Sequence, residues 1–126
     1  MHGGIMAQQV LIVDDSGSIR QSMKYIVEEA GYSVIEAPNG KEALNVIRPE
    51  TKLVITDINM PEMNGIELEK AIRGKTVPLK TIPIVILTTE SQDDLKQKGK
   101  DAGATAWIVK PFPPEAIIST IRKLIG

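Results

Sequence analysis

The chain has 126 residues, 42% of them hydrophobic and 25% charged, and its 15 basic and 16 acidic side chains give a net charge of −1. This length fits one domain with one core, and no run of Lys or Arg is long enough to follow a nucleic-acid backbone. The absence of cysteine excludes disulfides and thiolate zinc sites, and no run reaches the length of a membrane span, about 18 apolar residues. We therefore expect a cytoplasmic protein that binds neither nucleic acid nor membrane.

The first residues are not expected to contribute to the fold. Residues 1–5 lack the basic and apolar pattern of a secretion signal. We interpret residues 1–7 as a tail that is partly foreign to the native protein, with Met6 as a candidate start. Residues 8–126 are expected to form the domain.

Strand and helix patterns alternate along the rest of the chain. Short apolar runs bounded by turn residues predict strands, and apolar residues at helical spacing predict helices. In chain order these are a strand at 9–14, a helix from 18 to Gly31, a strand at 33–37, a helix at 41–47, a strand at 53–57, a helix at 66–73, a strand at 82–88, a helix at 91–102, a strand at 105–109 and a helix at 115–125.

Five strand and helix pairs with short loops predict an α/β fold of (βα)5 type. Right-handed crossovers then produce a doubly wound, five-stranded parallel sheet with helices on both faces. The first, third and fifth strands are the most uniformly apolar, so we expect them at the centre of the sheet, with the second strand at an edge.

Charged residues follow three of the predicted strands. Asp14 and Asp15 follow the first strand, Asp57 ends the third and Lys110 follows the fifth. Ligands of such sheets bind beyond the carboxyl ends of the strands, and three converging carboxylates need a compensating cation. A site with oxygen ligands alone favours Mg²⁺ or Mn²⁺ over zinc.

The same edge of the sheet is suited to a phosphoryl group. Lys110 and the hydroxyl of Thr88, at the end of the fourth strand, would stabilise the charge on phosphoryl oxygens. Asp57 is the better acceptor, because Asp14 and Asp15 lie together as a metal clamp while Asp57 stands alone on its strand.

Taken together, these motifs resemble the response-regulator receiver domain of the single-domain, CheY-like chemotaxis type, over about residues 9–125. The resemblance rests on Asp14-Asp15, on the segment DINMPEMNG at 57–65, on Thr88 and on the Lys-Pro-Phe sequence at 110–112. It implies a flavodoxin/CheY-like fold with strand order 2-1-3-4-5.

The resemblance also implies roles for individual acidic and amide residues. Asp57 would accept a phosphoryl group from a histidine kinase. Asp15, Asp57 and the backbone carbonyl of Asn59 would bind Mg²⁺, and Asp14 would hold the ion partly through water. Asn59 and Glu90 lie where family members tune the attack of water on the acyl phosphate, and so the lifetime of the signal.

Further family positions bear on phosphoryl binding and on switching. Thr88 and Lys110 would hold the phosphoryl oxygens, and a cis peptide bond between Lys110 and Pro111 would aim the lysine inward. Thr88 would move toward the phosphoryl group while Trp107 turns inward behind it. Most members carry Tyr or Phe in place of this tryptophan. The sequence therefore does not decide whether the larger indole rotates.

The expected function is that of a receiver that catalyses only its own phosphorylation and dephosphorylation. Phosphorylation would alter the face formed by the fourth helix, fifth strand and fifth helix, and with it the affinity for a protein partner. In chemotaxis this partner is the flagellar motor switch, and a phosphatase is a further candidate. We expect a monomer.

Alternative functions stay open at this point. One alternative is a phosphorelay shuttle, or the receiver of a longer regulator. A phosphatase of the haloacid-dehalogenase type is the enzyme alternative, but that family needs an aspartate where Asn59 stands.

Each of these residues also has a purely structural explanation. The sequence Asp14-Asp15-Ser16 can cap a helix, Lys110 can be a solvated surface residue, and Trp107 can be a half-buried packing residue. The joint placement of the charged residues at one edge favours the functional interpretation.

Overall fold

The computed structural model describes residues 7–89, 97, 100, 101 and 103–126. Of the helix predicted at 91–102, only Gln97, Lys100 and Asp101 fall among these residues, and all three are helical. No helix in the described part of the chain is both long and apolar enough to cross a membrane. The described elements are β1 (Gln9–Val13), α1 (Gly17–Glu29), β2 (Ser33–Ala37), α2 (Gly40–Val46), β3 (Thr51–Asp57), α3 (Gly65–Arg73), a 3₁₀ turn (Leu79–Thr81), β4 (Ile84–Thr88), β5 (Ala106–Val109) and α4 (Pro114–Ile125).

The strands form one parallel sheet in the order β2-β1-β3-β4-β5. This order confirms the predicted α/β class and the strand order that the family resemblance implies. The predicted edge position of β2 is also confirmed.

The expectation that the fifth strand lies at the centre is wrong. The strand β5 forms the edge opposite β2, and β4 takes the interior position with every residue buried. An edge strand can be as apolar as a central one when both faces of the sheet are covered. In β5, Ala106 and Ile108 pack against the core on one face, and Trp107 packs against the core on the other.

The start of β4 also differs from the prediction. It begins at Ile84 rather than Ile82, so Pro83 lies just before the strand. The carbonyl of Pro83 still accepts a hydrogen bond of 3.0 Å from the backbone N–H of Val54 in β3. The proline therefore extends the pairing of β3 and β4 as an acceptor, although it has no N–H to donate.

Two apolar layers hold the helices to the two faces of the sheet. On one face, Met23 and Val27 of α1 and Ile117 and Ile121 of α4 pack against alternate residues of the central strands. On the other face, the buried helical residues come from α2 and α3, and they are Ala43, Leu68 and Ile72. Because successive strand residues point to opposite faces, the central strands supply both layers at once.

Side chains at the helix starts explain where several helices begin. Ser16 caps α1 by accepting a hydrogen bond from the N–H of Ile19, and Asn39 caps α2 in the same way through the N–H of Glu42. Asn64 begins α3 with a capping box, in which its side chain and that of Glu67 each accept a backbone N–H of the other. These helices therefore start just beyond the carboxyl edge of the sheet.

Candidate functional site

Three carboxylates meet at the carboxyl edge of the sheet. Asp14 and Asp15 follow β1, and Asp57 ends the neighbouring β3. One carboxylate oxygen of each lies within 4.8 Å of the others. Asp14 is buried, Asp57 is half-buried and Asp15 is exposed. The cluster therefore has a closed side in the fold and an open side toward solvent.

Asp14 is fixed on several sides. Its Oδ1 accepts a hydrogen bond of 2.9 Å from the backbone N–H of Ser16, and its Oδ2 lies 3.5 Å from Nζ of Lys110. Burial raises the pKa of Asp14 above its usual value, and the charges of Asp57 and Asp15 add to that rise. The hydrogen bond from the Ser16 N–H and the charge of Lys110 both act to lower the pKa. A cation placed among the carboxylates would further favour the ionised form of Asp14.

The carboxylate of Asp57 has two distinct sides. Its Oδ1 accepts a hydrogen bond of 2.7 Å from the N–H of Ile58, and its Oδ2 lies 3.3 Å from Nζ of Lys110. The backbone N–H therefore fixes the orientation of the carboxylate. The lysine provides a positive charge beside the oxygen on the other side.

Lys110 reaches the cluster from the residue that follows β5. Its backbone N–H donates a hydrogen bond of 2.7 Å to the carbonyl of Thr88, the last residue of β4. Thr88 is fully buried. The Lys110–Pro111 peptide bond is cis, and so is the Val77–Pro78 bond, which was not predicted from the sequence.

Two other positions predicted from the sequence, Asn59 and Trp107, have different surroundings. Asn59 is exposed, two residues beyond Asp57 in the loop toward α3. Trp107 pairs with Ile86 in the sheet and is half-buried against the core under α2 and α3. Glu90 lies outside the described residues. The structure thus brings Asp14, Asp15, Asp57 and Lys110 into one cluster, with Thr88 bound to the backbone of the lysine.

The start of α3 packs directly against the backbone of the candidate acceptor. A Cβ atom on Gly65 would overlap the carbonyl oxygen of Asp57 and approach Cα of Ile58 to 3.1 Å. The N–H of Gly65 donates a hydrogen bond of 3.0 Å to the carbonyl of Ile58, which closes the intervening loop. Gly65 is therefore required by space, because α3 begins in contact with the backbone of Asp57.

We expect Gly65→Ala to lower the free energy of unfolding by about 1 to 3 kcal/mol, because backbone must shift to admit the methyl group. Gly74→Ala is the matched control, since its Cβ would have ordinary contacts of 3.5 and 3.6 Å and Gly74 has a φ of −83°. Urea denaturation measures both variants. Equal stability losses in the two variants would contradict the packing argument.

The donor set of this cluster fits a hard divalent cation. Three carboxylate oxygens lie close enough to share one ion, and the open side at Asp15 leaves room for water or phosphoryl oxygens as further ligands. In the described part of the chain no His or Cys contributes to the cluster, so the ligand chemistry favours Mg²⁺ or Mn²⁺ over zinc.

Three residues that matter for this region were not predicted from the sequence. Nη1 of Arg20 donates a hydrogen bond of 2.6 Å to the carbonyl of Asp14, and its Nε lies 3.2 Å from Glu36. Glu69 is fully buried, and Arg73 binds several backbone carbonyls. Only Glu69 had a signal in the sequence, because a carboxylate between the inward positions Leu68 and Ile72 interrupts an apolar helix face.

Comparisons with known proteins agree with this geometry. The family model of the response regulator receiver domain matches residues 10–122. The chemotaxis protein CheY1 of Helicobacter pylori is 38% identical over 94% of this chain and 97% of its own length. The CheY homolog of Campylobacter jejuni is 36% identical over 94% of this chain and 92% of its own length.

Solved structures give the same result. The chemotaxis protein CheY4 of Vibrio cholerae superposes with a TM-score of 0.86 at 44% identity, covering 96% of this chain and all of that one. This chain belongs to the response regulator receiver family. Receiver domains bind Mg²⁺ at an acidic pocket, and this receiver has such a cluster in Asp14, Asp15 and Asp57. CheY-like receivers interact with histidine kinases and with downstream targets.

Proposed function

We propose that this receiver, spanning residues 8–126, is a phosphorylation-controlled binding module whose phosphoryl acceptor is Asp57. The observation that carries the proposal is the contact of Asp57 with Lys110, 3.3 Å apart, inside a cluster of three carboxylates. A carboxylate at a strand end, with a lysine at one oxygen and a backbone N–H at the other, is held in a fixed orientation for attack on phosphorus.

The proposed reaction transfers one phosphoryl group from a phosphohistidine of a kinase. A bond forms between a carboxylate oxygen of Asp57 and phosphorus, and the bond between phosphorus and the histidine nitrogen breaks, so that the imidazole takes the electron pair. Lys110 neutralises charge on the phosphoryl oxygens, and Thr88 supplies a hydroxyl donor. Attack of water on the acyl phosphate later regenerates the Asp57 carboxylate and releases phosphate.

Asp15, Asp57 and the carbonyl of Asn59 would hold Mg²⁺ directly, and Asp14 would contribute partly through water. The ion, when bound, neutralises negative charge where donor phosphoryl and carboxylates meet. Mn²⁺ has similar ligand preferences and is expected to substitute. Asn59 and Glu90 would tune the access of water and with it the lifetime of the acyl phosphate.

The proposed output is a change of protein affinity at a surface near β5. Thr88 moves toward the phosphoryl group, and Trp107 turns inward behind it. The affected face comprises the helix predicted at 91–102, together with β5 and α4. Because two relatives are named chemotaxis proteins, we propose the flagellar motor switch as the target of a monomeric receiver, with a phosphatase as a further partner.

Incubation with a small phosphodonor and Mg²⁺ tests the proposed function. We expect intact mass spectrometry to show one added phosphoryl group, and peptide mapping to locate it on Asp57. Omission of the divalent ion should reduce the rate at least about a hundredfold, because the carboxylate cluster repels an anionic donor.

Modification of another residue, or a rate that is independent of the metal, would contradict the assignment. The chemotaxis pathway is tested separately by binding to a motor switch protein. Equal affinity with and without the phosphoryl mimic beryllofluoride would contradict that part of the proposal.

A further inference from the structure

A buried glutamate on α3 has no place in the proposed reaction. Glu69 is 0% exposed, and among the residues that the structure describes neither of its carboxylate oxygens has a hydrogen-bond partner. Burial of an unpaired carboxyl group costs free energy, so each such group in a folded protein calls for an explanation. Burial raises the pKa of Glu69 to about 8, although the nearby charge of Arg73 acts to lower it. Burial therefore favours the protonated form of the carboxyl group at neutral pH.

Arg73 does not act as the partner of Glu69 although it lies one helical turn away. Its Nε and Nη2 donate hydrogen bonds of 3.2 and 2.6 Å to the carbonyl of Gly103. Its Nη1 donates to the carbonyls of Ile82 and Lys80. The guanidinium is thus occupied by backbone groups that precede β4 and β5.

One other buried side-chain atom in the described part of the chain lacks a partner. It is Nε1 of Trp107, a hydrogen-bond donor, whereas the oxygens of Glu69 include an acceptor. The two unsatisfied residues are therefore chemically complementary.

The fold places these two residues on the same side of the sheet. Trp107 packs against the core cluster that contains Leu68 and Ile72, the neighbours of Glu69 on the inner side of α3. Residues four apart share one face of a helix, so Glu69 lies on the face of α3 from which Arg73 reaches Gly103.

Their positions along the sheet correspond as well. Because α3 runs back from the carboxyl edge of the parallel sheet, Glu69 is one turn closer to that edge than Arg73. Trp107, in β5, is likewise closer to that edge than Gly103. Relative to the contact between Arg73 and Gly103, both Glu69 and Trp107 therefore lie toward the carboxyl edge of the sheet.

We propose that Glu69 is the hydrogen-bond acceptor for the indole N–H of Trp107 when Trp107 turns inward in the phosphorylated receiver. The proposal rests on the proposed function, since it assigns a partner to the residue that responds to phosphorylation. Glu69 acts as a positioning residue: it stabilises the inward conformation of Trp107 and touches neither phosphoryl group nor metal. Each of the two unsatisfied groups then gains its partner in the active state.

The single tryptophan makes this contact directly observable. Its indole N–H gives one cross peak in a ¹⁵N-labelled sample, which is recorded with Mg²⁺ before and after addition of beryllofluoride. We expect the indole proton to shift downfield and its exchange with solvent to slow by about tenfold, as a new hydrogen bond of ordinary net strength predicts.

Three variants separate a specific contact from a general effect. Glu69→Leu removes the acceptor and should lose both the downfield shift and the slowed exchange, whereas Glu69→Gln retains a carbonyl oxygen and should restore them. Glu29→Leu changes an exposed glutamate at the end of α1 and should behave like the wild type. Intact mass after treatment with a small phosphodonor checks that Asp57 is modified in every variant.

The outcomes distinguish this inference from the proposed function. If Asp57 is phosphorylated but the wild-type indole peak does not change, the Glu69 contact is wrong and the proposed function stands. Retention of the full change in Glu69→Leu would overturn the inference in the same way. Absence of phosphorylation at Asp57 would overturn both.

Discussion

Asp57→Asn should abolish phosphoryl incorporation from a small donor, with a rate at least about a hundredfold below wild type, because an amide lacks the nucleophilic carboxylate oxygen. The fold should persist, since the asparagine oxygen can still accept the hydrogen bond from the N–H of Ile58. Removal of one charge from the cluster with Asp14 and Asp15 also relieves repulsion. Intact mass spectrometry measures incorporation, and thermal denaturation checks the fold.

A control for this substitution is available in the same chain. Asp101→Asn makes the same chemical change at an exposed aspartate far along the sequence from the cluster, and it should incorporate phosphate at the wild-type rate. If Asp57→Asn incorporated phosphate as fast as this control, another residue would be the acceptor.

Glu69→Leu should make the receiver more stable and should remove most of a pH dependence of folding. The pKa of Glu69 is about 8 in the folded protein, against an ordinary value of 4.5 that applies to the unfolded chain. Between these values the unfolded state releases the proton while the folded state keeps it. The free energy of unfolding of the wild type therefore falls as pH rises from about 4.5 to about 8.

The expected loss of stability is large for one residue. Where the folded state binds one proton more than the unfolded state, the free energy of unfolding falls by about 1.4 kcal/mol per pH unit. Between about pH 4.5 and 8 the total loss is therefore about 3 to 5 kcal/mol. Urea denaturation at several pH values measures the effect. In this pH range, the free energy of unfolding of Glu69→Leu should fall less steeply with rising pH than that of the wild type.

The exposed control Glu29→Leu should keep the wild-type slope, which excludes a general effect of removing one negative charge. If the free energies of unfolding of the wild type and Glu69→Leu changed equally with pH, Glu69 would not hold its proton in the folded protein. The contribution of Asp14, whose pKa is also raised, remains in both proteins and cancels in their difference.

The sequence predicted much of the site because its residues follow strand ends. The short apolar runs before Asp14 and Asp57 define both the strands and the edge at which they end. In a parallel sheet, residues at the carboxyl ends of neighbouring strands must come close together. The convergence of Asp14, Asp15 and Asp57 could therefore be expected without coordinates, and the structure brings them within 4.8 Å.

Other features depend on contacts that no local pattern records. The apolar residues of β5 indicate that both of its faces are covered, but they do not indicate how many strands lie beside it. The apolar pattern alone therefore placed β5 wrongly at the centre, whereas the order implied by the family resemblance placed it at the edge. A helical pattern likewise does not indicate how deeply a residue is buried. From the sequence, Glu69 could have lain at the edge of the buried helix face rather than fully inside it. The bond from Arg20 to the carbonyl of Asp14 needs the packing of α1 on the sheet, which only the assembled fold provides.

The contacts of Arg73 have a mechanical consequence for the last two strands. One guanidinium ties together the segments that lead into β4 and β5, at Ile82 and Gly103. A Cβ atom at Gly103 would lie only 2.6 Å from Nε of Arg73, and the φ of Gly103 is +106°, so a larger residue there would strain the backbone and displace the arginine. Any displacement of the strand pair should then be angular, with its pivot at Arg73 and its largest amplitude at the opposite ends, where Thr88 and Lys110 lie.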